Sequence, residues 1–230
     1  LSDIQNMGYE VVLVSSGAIA VGRNKLNMTS KPDSMRMKQA AAAVGQCSLM
    51  YLYDKFFGDY DKTVAQILLN AEDIEQEEKK ENLINTFNAL LEMGVIPIVN
   101  ENDSVSYKEI ESEDRLFGDN DMLSAVVAVL CRARHLVILS DIDGFYDHDP
   151  RLYPNAKLIE QIDTIDDSVY ALAGGAGSRR GTGGMRTKLQ AAALATSQGT
   201  DTIVTNGKHP EALYDIVKGL HAGTLFPGKI

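Results

Sequence analysis

A glycine-rich, basic segment at residues 174–188 is the part of the chain best suited to binding an anion. Its sequence, GGAGSRRGTGGMRTK, holds six glycines, three arginines and one lysine. Glycines leave backbone N–H groups open to an anion, because no Cβ blocks the approach and a positive φ carries little penalty. A helical pattern begins at Met185, so the segment would deliver a phosphate to a helix N-terminus, with Lys188 one turn inside. The alternative interpretation is a flexible surface loop, and the P-loop pattern GxxxxGK[ST] is not matched.

Short polar segments follow four apolar runs of the chain. SSGA comes after Val14, NENDS after Val99, SDIDG after Leu139 and TNGKH after Val204. Ligands of open parallel sheets bind beyond the carboxyl ends of the strands, so the four segments together predict one binding crevice. Each segment alone is better explained as a turn, since Asn, Asp, Ser and Gly are common turn residues.

An anion-binding loop, a nearby lysine and acidic groups at strand ends together suggest phosphoryl transfer. This chemistry needs in-line positioning and cations that offset the charge of the γ-phosphoryl group, with Mg²⁺ bridging the β and γ oxygens. Lys188 is the candidate cation, and Asp121 is the candidate to orient it. Alternatively, Lys188 is a solvated helix lysine and Asp121 only complements a helix dipole.

A polar substrate has its own candidate contacts. Asp103 and Asn120 could hold it, with hydrogen bonds from Ser16 and the backbone near Gly17, while Asp141 could meet the nucleotide. A GxSxG segment and a Ser/His/Asp set are not found in the sequence, so nucleophilic acyl transfer is not indicated.

Strands and helices are expected to alternate along the chain. Continuous β-branched, apolar runs predict buried strands, and longer periodic stretches predict helices. The strands are expected at 11–14, 63–69, 95–99, 136–139 and 202–204, and the helices at 35–57, 79–93, 121–131 and 185–197, after the tail of another helix at 1–9. The alternation predicts a single domain, a three-layer αβα sandwich around a mainly parallel central sheet. The polar segment 104–118 predicts a long loop or hairpin, of the kind that often forms a lid.

The composition excludes several classes of protein. The 230 residues carry a formal net charge of −10, with 44% hydrophobic and 23% charged residues, as in an ordinary globular protein. Nucleic-acid binding is not expected, because it needs a basic face. No apolar run approaches the roughly 18 residues of a membrane span and no signal-peptide pattern is present, so a cytoplasmic protein without a membrane partner is expected.

The cysteines and histidines do not indicate a metal site. Cys47 and Cys131 lie within apolar helical patterns and lack a CxxC spacing, so we expect both to be reduced core residues. The four histidines are scattered along the chain. We therefore expect no metal-ligating residues of the zinc-site type.

Six motifs together resemble the glutamate 5-kinases of the amino acid kinase superfamily. They are SSGAIAVG at Ser15, AAVGQ at Ala42, NENDSV at Asn100, GDND at Gly118, SDIDGFYDHDPR at Ser140 and GTGGMRTK at Gly181. The resemblance extends over about residues 11–226. It implies the amino acid kinase fold and an ATP-dependent, Mg²⁺-assisted phosphorylation of the side-chain carboxylate of L-glutamate. The product would be L-glutamyl 5-phosphate, in the first step of proline synthesis.

The resemblance also assigns roles to individual residues. Ser16, Asp103 and Asn120 would contact glutamate, while Lys188 would stabilise the transferred group and Asp121 would organise the lysines. The residues that would contact ATP are Ser140, Asp141, Thr182, Gly183, Gly184, Met185, Arg186, Thr187 and Lys188. No general base is needed, because a carboxylate acceptor is already ionised at pH 7. Feedback inhibition by proline and a homo-oligomer, a dimer or tetramer, are implied as well.

The sequence departs from the family pattern in two places. The family opens with a strand whose Lys-x-Gly-[ST] lysine meets the phosphates, and no such motif stands before Val11. We therefore expect this N-terminal strand to be missing from the sequence, and we expect no C-terminal PUA domain. Two alternatives stay open, namely a relative that phosphorylates acetylglutamate, aspartate or a nucleoside monophosphate, and a non-catalytic module that senses metabolites.

Overall fold

Two compact units make up the chain, Leu1–Asn120 and Asp121–Ile230. The structure, a computed structural model, describes residues 1–105, 120–173 and 184–229. Within these residues no helix is both long enough and apolar enough to cross a membrane.

The first unit is built on a three-stranded parallel sheet in the order β1-β3-β2. Its elements are α1 (Ser2–Asn6), β1 (Leu13–Val14), α2 (Ala18–Lys25), α3 (Met35–Gly58), β2 (Val64–Leu69), α4 (Ala71–Glu75), α5 (Glu77–Glu92) and β3 (Ile96–Glu101). Val14 and Ile67 both lie opposite Val99, so the carboxyl ends of the three strands share one edge. Ile96 and Val99 are fully buried, as expected for a strand covered on both faces.

Two glycines bring the backbones of α2 and α3 into contact. A Cβ on Gly22 would lie 1.7 Å from the carbonyl oxygen of Ala41, and a Cβ on Gly45 would lie 1.8 Å from the carbonyl oxygen of Ala18. No side chain fits at such distances, so both positions require glycine. This crossing fixes the start of α2, and with it the SSGA segment that connects β1 to α2.

The second unit contains a three-stranded sheet in the order β4-β5-β6. Its elements are α6 (Asn120–Leu130), β4 (His135–Ser140), α7 (Asp167–Ala173), α8 (Met185–Ser197), β5 (Asp201–Asn206), α9 (Ala212–Val217) and β6 (Thr224–Phe226). Strands β4 and β5 are parallel, with Ser140 opposite Asn206, and β6 is antiparallel to β5. Helix α8 packs on this sheet, since Leu189 is buried in the same apolar cluster as Ile138 and Val204.

The predicted α/β fold with mainly parallel strands is confirmed. The expected strands and helices are found close to their predicted bounds, whereas α2, α4, α7, α9 and β6 were not predicted. Hydrogen bonding groups the strands into two three-stranded sheets. Each sheet brings two of the four polar segments together, those after β1 and β3 in one and those after β4 and β5 in the other. A single domain stays a prediction, as does one crevice for all four segments, and most of the predicted loop 104–118 lies outside the described residues.

The expectation of a buried Cys47 is wrong. Cys47 is exposed, and Cys131 is partly buried. The buried face of α3 contains Ala41, Ala42, Gly45, Gln46 and Phe57. Each residue of an α-helix is rotated by about 100° from the previous one, so Cys47 turns away from the face on which Gln46 is buried.

The stability of the second unit is expected to depend on the protonation of His135. Its side chain is 25% exposed, with Nδ1 3.6 Å from Asp201 Oδ2. Burial lowers the pKa of His135 below its usual 6.5, and the nearby Asp201 carboxylate opposes this only in part. As the pH falls below about 6.5, the unfolded chain takes up the proton more readily than the folded one, so the free energy of unfolding falls.

Urea denaturation of the wild type and His135→Gln, at about pH 7.5 and about pH 5.5, measures this effect. The free energy of unfolding should fall less in His135→Gln than in the wild type over this range. Equal decreases in the two proteins would contradict the assignment.

Candidate active site

A lysine and an aspartate from two helices form an ion pair in the second unit. Lys188 Nζ lies 2.8 Å from Asp121 Oδ2, and the two side chains are 12% and 13% exposed. Lys188 extends from the first turn of α8 and Asp121 from the first turn of α6. Charges this far removed from water are stable only when they are paired. The ammonium group is therefore held in a fixed position beside the N-terminal turns of both helices.

Thr187 adds a hydroxyl group to this ion pair. Its Oγ1 lies 3.0 Å from Asp121 Oδ2 and 2.8 Å from the carbonyl oxygen of Gly184. Gly184 is the N-cap residue of α8, and no side chain among the described residues caps this helix. The first N–H groups of α8 and its dipole are suited to phosphate oxygens, because both favour negative charge.

The end of β4 presents a carboxylate and an arginine. Ser140 closes the strand, and its Oγ donates a hydrogen bond of 3.4 Å to Asp141 Oδ1. Arg151 Nη2 lies 2.5 Å from Asp141 Oδ2, with both side chains more than half exposed. An exposed pair of this kind stabilises the fold by about 1 kcal/mol at most, so Arg151 can exchange Asp141 for another anion at little cost.

Asp143 connects the ends of β4 and β5. Its Oδ1 accepts a hydrogen bond of 2.8 Å from Asn206 Nδ2, and its Oδ2 accepts one of 3.1 Å from the Tyr146 hydroxyl. Both hydrogen bonds lower the pKa of Asp143 below its usual value, the bond from Asn206 more than the bond from Tyr146. The carboxylate therefore stays ionised at neutral pH and joins the SDIDG and TNGKH segments.

The SSGA segment of the first unit buries its first serine and exposes its second. Ser15 donates its backbone N–H to the carbonyl oxygen of Val99 at 2.8 Å, and its Oγ lies 2.8 Å from the Tyr53 hydroxyl. Ser16 is exposed. Gly17 then adopts the left-handed conformation with φ of 86°, which favours glycine, and begins α2. The turn leaves the Ser16 hydroxyl accessible at the carboxyl end of β1.

The NEND segment follows β3 at the same edge of the sheet. Asn100 is 4% exposed, and its Oδ1 accepts the backbone N–H of Glu101 at 2.9 Å. The backbone N–H of Asn102 donates to the carbonyl oxygen of Leu69 at 2.9 Å, which ties the segment to the end of β2. Asp103 comes next and is partly buried. Because β1 pairs with β3, Asp103 and Ser16 follow adjacent strands.

Most of the chain matches the model of one known protein family. Residues 1–206 match the model of the amino acid kinase family. That range contains the polar segments after β1, β3 and β4 and the ion pair of Lys188 with Asp121. The chain belongs to the amino acid kinase family.

Curated relatives of this amino acid kinase align with its full length. A protein named glutamate 5-kinase from Clostridium perfringens is 56% identical over 229 residues, which cover 100% of this chain and 85% of the relative. A glutamate 5-kinase from Listeria innocua is 49% identical over 229 residues, covering 100% of this chain and 83% of the relative. Among solved structures, carbamate kinase from Giardia lamblia bound to AMP-PNP has a TM-score of 0.62 and 17% identity, covering 98% of this chain and 87% of that one. At this identity the likeness shows the fold alone.

The structure of this amino acid kinase brings several predicted site residues together. Lys188 and Thr187 both contact Asp121. Ser140 and Asp141 lie together at the end of β4, while Asn120 is the first residue of α6, beside Asp121. Their roles in binding and catalysis stay predictions.

The other predicted contacts of ATP lie around the start of α8. The side chain of Met185 packs against the apolar core of the second unit. The Arg186 guanidinium carbon lies 6.0 Å from the centre of the Tyr170 ring. Thr182 and Gly183 lie outside the described residues. Met185 and Gly184 could therefore serve a nucleotide through their backbone rather than through a side chain.

Sequence reasoning missed three side chains that hold the strand-end segments in place. Arg151 contacts Asp141, Asn206 contacts Asp143, and Tyr53 contacts Ser15. Asn206 and Arg151 lie within the motifs TNGKH and SDIDGFYDHDPR. These motifs mark the two residues as candidates but do not show which side chains they contact. Tyr53 lies in the C-terminal part of α3, outside these motifs, and carries no such signal.

Proposed function

We propose that this chain transfers the γ-phosphoryl group of ATP to the side-chain carboxylate of L-glutamate, as a cytoplasmic enzyme of proline biosynthesis. The observation that carries the proposal is the ion pair of Lys188 with Asp121 at the N-terminal turns of α6 and α8. The acceptor follows from the relatives named glutamate 5-kinase, which align with the whole chain at up to 56% identity among those compared.

The reaction is a single in-line displacement. An oxygen of the glutamate side-chain carboxylate attacks the γ-phosphorus, and the bond from that phosphorus to the β,γ-bridging oxygen breaks. The products are L-glutamyl 5-phosphate and ADP. Glutamate has a side-chain pKa of about 4.3, so the attacking oxygen carries no proton at neutral pH and no general base is required.

Lys188 provides the positive charge for this transfer. In the transition state, negative charge accumulates on the transferred group and on the leaving oxygen. A preorganised cation therefore stabilises the transition state more strongly than the ground state. Asp121 keeps the ammonium group in place before ATP arrives, because both side chains are nearly buried. The first N–H groups of α8 bind phosphate oxygens beside it.

Mg²⁺ enters this reaction with ATP. Within residues 1–105, 120–173 and 184–229, no group of three or more His, Cys, Asp or Glu residues is arranged to hold a metal ion. Mg²⁺ commonly takes its ligands from water, substrate phosphates and one or two carboxylates, so the residues present fit an ion held mainly by ATP. When bound, it offsets the charge of the β and γ phosphates.

Glutamate binds at the carboxyl ends of β1 and β3. Asp103 accepts hydrogen bonds from the α-ammonium group, because a carboxylate is the natural partner of that cation. The exposed hydroxyl of Ser16 and the side-chain amide of Asn120 donate to the carboxylates of the substrate.

Asp103→Asn is expected to raise KM for glutamate by about tenfold or more, since a hydrogen bond between charged groups contributes about 1.5–3 kcal/mol. KM for ATP and kcat should change by less than about threefold. Initial-rate kinetics with each substrate varied in turn measures the three constants.

Asp59→Asn is the matched control for this variant. Asp59 is exposed at the C-terminal end of α3, before the start of β2 and so toward the opposite edge of the sheet. Asp59→Asn removes the same charge as Asp103→Asn and should leave KM for glutamate unchanged. An Asp103→Asn enzyme with wild-type affinity for glutamate would remove Asp103 from the acceptor site.

ADP release with a panel of acceptors tests the proposed function. We expect kcat/KM for L-glutamate to exceed that for aspartate, N-acetylglutamate and UMP by at least about a hundredfold. A site whose polar groups pair with the charged groups of glutamate rejects analogues that leave these site groups unpaired. Turnover of aspartate without turnover of glutamate would assign the chain to another acceptor. ATP binding without turnover of any acceptor would indicate a sensing module.

Inhibition by proline is part of the proposal. It is supported by the resemblance to glutamate 5-kinases, which are the first enzymes of a pathway that ends in proline. Rates measured at a glutamate concentration near KM should fall as proline is added, and an unchanged rate at millimolar proline would contradict this.

A homo-oligomer, either a dimer or a tetramer, is also part of the proposal. Helix α3 exposes Tyr51, Leu52 and Phe56, with relative exposures of 66%, 40% and 59%. Several large exposed apolar side chains on one helix are typical of an interface, and a second copy of the chain is the occupant we expect. Light scattering during size-exclusion chromatography should give two or four times the monomer mass, and a monomer would contradict it.

A further inference from the structure

A buried glutamine contacts the segment that carries Asp103. Gln46 lies in the middle of α3 and is 9% exposed, although its side-chain amide is fully polar. Burial of an amide costs free energy unless its hydrogen bonds are replaced. The partners of Gln46 therefore indicate what the residue does.

The amide of Gln46 bridges two strands of the sheet in the first unit. Its Nε2 donates to the carbonyl oxygen of Glu101, the last residue of β3, at 3.3 Å. Its Oε1 accepts a hydrogen bond from Gln66 Nε2 of β2 at 3.4 Å. The carbonyl oxygen of Glu101 can only accept, so the NH₂ group of Gln46 is directed to it and Oε1 of Gln46 faces Gln66.

Both polar atoms of the peptide unit between Glu101 and Asn102 are then occupied. The carbonyl oxygen of Glu101 accepts from Gln46, and the N–H of Asn102 donates to the carbonyl oxygen of Leu69 at 2.9 Å. A peptide unit is planar, so two bonds on its opposite sides fix its orientation about the chain axis. Asp103 is the next residue along the chain, and its direction depends on that plane.

We propose that Gln46 is a positioning residue for the acceptor site. It holds the peptide plane at the end of β3, and in this way sets the direction in which Asp103 presents its carboxylate to the α-ammonium group of glutamate. The inference rests on the proposed function, since it assumes that Asp103 binds glutamate. Gln46 itself does not touch the substrate.

Gln46→Met tests the inference, because methionine has a similar length and volume and lacks both the donor and the acceptor. We expect KM for glutamate to rise about tenfold, with kcat and KM for ATP changed less than about threefold. A residue with a merely structural role would lower the melting temperature and the active fraction of the enzyme without moving KM for glutamate.

Gln5→Met is the matched control. Gln5 Nε2 donates to the carbonyl oxygen of Gly94 at 2.8 Å, a bond of the same kind just before the amino end of β3. Its loss should leave KM for glutamate at the wild-type value. If Gln46→Met does not fold, Gln46→Glu keeps an acceptor for Gln66 and replaces the donor to Glu101 with a carboxylate oxygen that faces its carbonyl, so an increase in KM at least as large is expected.

The outcomes separate the inference from the proposed function. No turnover of glutamate by the wild type would overturn both. Turnover by the wild type together with an unchanged KM for glutamate in Gln46→Met, or in Gln46→Glu where that variant is used, would overturn the positioning role alone. An equal rise of KM in Gln5→Met would also overturn it, because the effect would then follow any loosening of β3.

Discussion

Replacement of Lys188 with alanine is expected to lower kcat about a thousandfold, while KM for glutamate changes less than about threefold. Lys188 Nζ is held 2.8 Å from Asp121 Oδ2 at 12% exposure, so the ammonium group needs little reorganisation when charge develops on the transferred phosphoryl group. An interaction that strengthens in the transition state appears in kcat rather than in KM. Steady-state kinetics with ATP and glutamate varied separately gives both constants.

Lys218→Ala is the control for this variant. Lys218 is exposed at the end of α9 in the same unit, so its loss changes the net charge equally and should leave kcat unchanged. A large rise in KM for ATP with kcat preserved in Lys188→Ala would make Lys188 a ground-state ligand of the nucleotide and would contradict the catalytic role.

The ion pair predicts that substitutions at Lys188 and Asp121 are not additive. Lys188→Ala leaves a nearly buried carboxylate without this cation, which destabilises the fold as well as slowing the reaction. The double variant Lys188→Ala/Asp121→Ala should therefore be more stable than Lys188→Ala, with a similar kcat. Thermal denaturation and kcat of Lys188→Ala, Asp121→Ala and the double variant separate the loss of charge stabilisation in the reaction from the loss of folded protein.

Gly45→Ala is expected to destabilise the first unit by about 3 kcal/mol or more, because overpacking against backbone atoms cannot be relieved by a rotamer change. The new Cβ would lie 1.8 Å from the carbonyl oxygen of Ala18, 2.6 Å from its carbonyl carbon and 2.9 Å from the nitrogen of Gly22. α2 would have to move away from α3. For a chain of this size the melting temperature should fall by roughly 10 °C.

Gly58→Ala is the matched control on the same helix. Gly58 is the last residue of α3, and a Cβ at this position has no heavy atom within 4 Å. Alanine is the better helix former by up to about 1 kcal/mol, so this variant should be as stable as the wild type or slightly more stable. A melting temperature for Gly45→Ala equal to that of Gly58→Ala would contradict the backbone contact between α2 and α3.

The strands were predictable because burial on both faces leaves a local mark in the sequence. IPIV at the start of β3 is a continuous apolar run, and Ile96 and Ile98 are both buried. β6 has only three residues, and its pairing with β5 depends on contacts distant in sequence, so TLF gave no signal. α2 was missed for a related reason, since Gly22 lowers its helical propensity while making its packing possible.

The orientation of α3 could not be read from the sequence. Residues 40–47 are AAAAVGQC, in which small apolar residues surround the helix, so periodicity does not distinguish the buried face. Tertiary contact decided it, with Gly45 against Ala18 and Gln46 against Glu101. Cys47 was consequently placed in the core although it is exposed, and the buried role of Gln46 was not anticipated.

The candidate site was predictable in its residue types and less so in its contacts. The glycines before α8 and the lysine in its first turn have a chemical signature that depends only on neighbours in sequence. The partner of Lys188 is 67 residues away, and Asn206 is 63 residues from Asp143. Pairs at such separations are fixed by the order of strands and helices, so the sequence suggested Asp121 on electrostatic grounds but showed no contact for Asp143.

The most direct test of the central claim follows an oxygen atom from glutamate into phosphate. The protein is incubated with ATP, Mg²⁺ and L-glutamate labelled with ¹⁸O in its side-chain carboxylate, in the presence of hydroxylamine to trap the acyl phosphate. If the carboxylate attacks the γ-phosphorus, γ-glutamyl hydroxamate forms in step with ADP, and the released phosphate carries an oxygen-18 atom from glutamate. ADP formed with unlabelled phosphate and no hydroxamate would mean that water is the acceptor, and would contradict the proposed function.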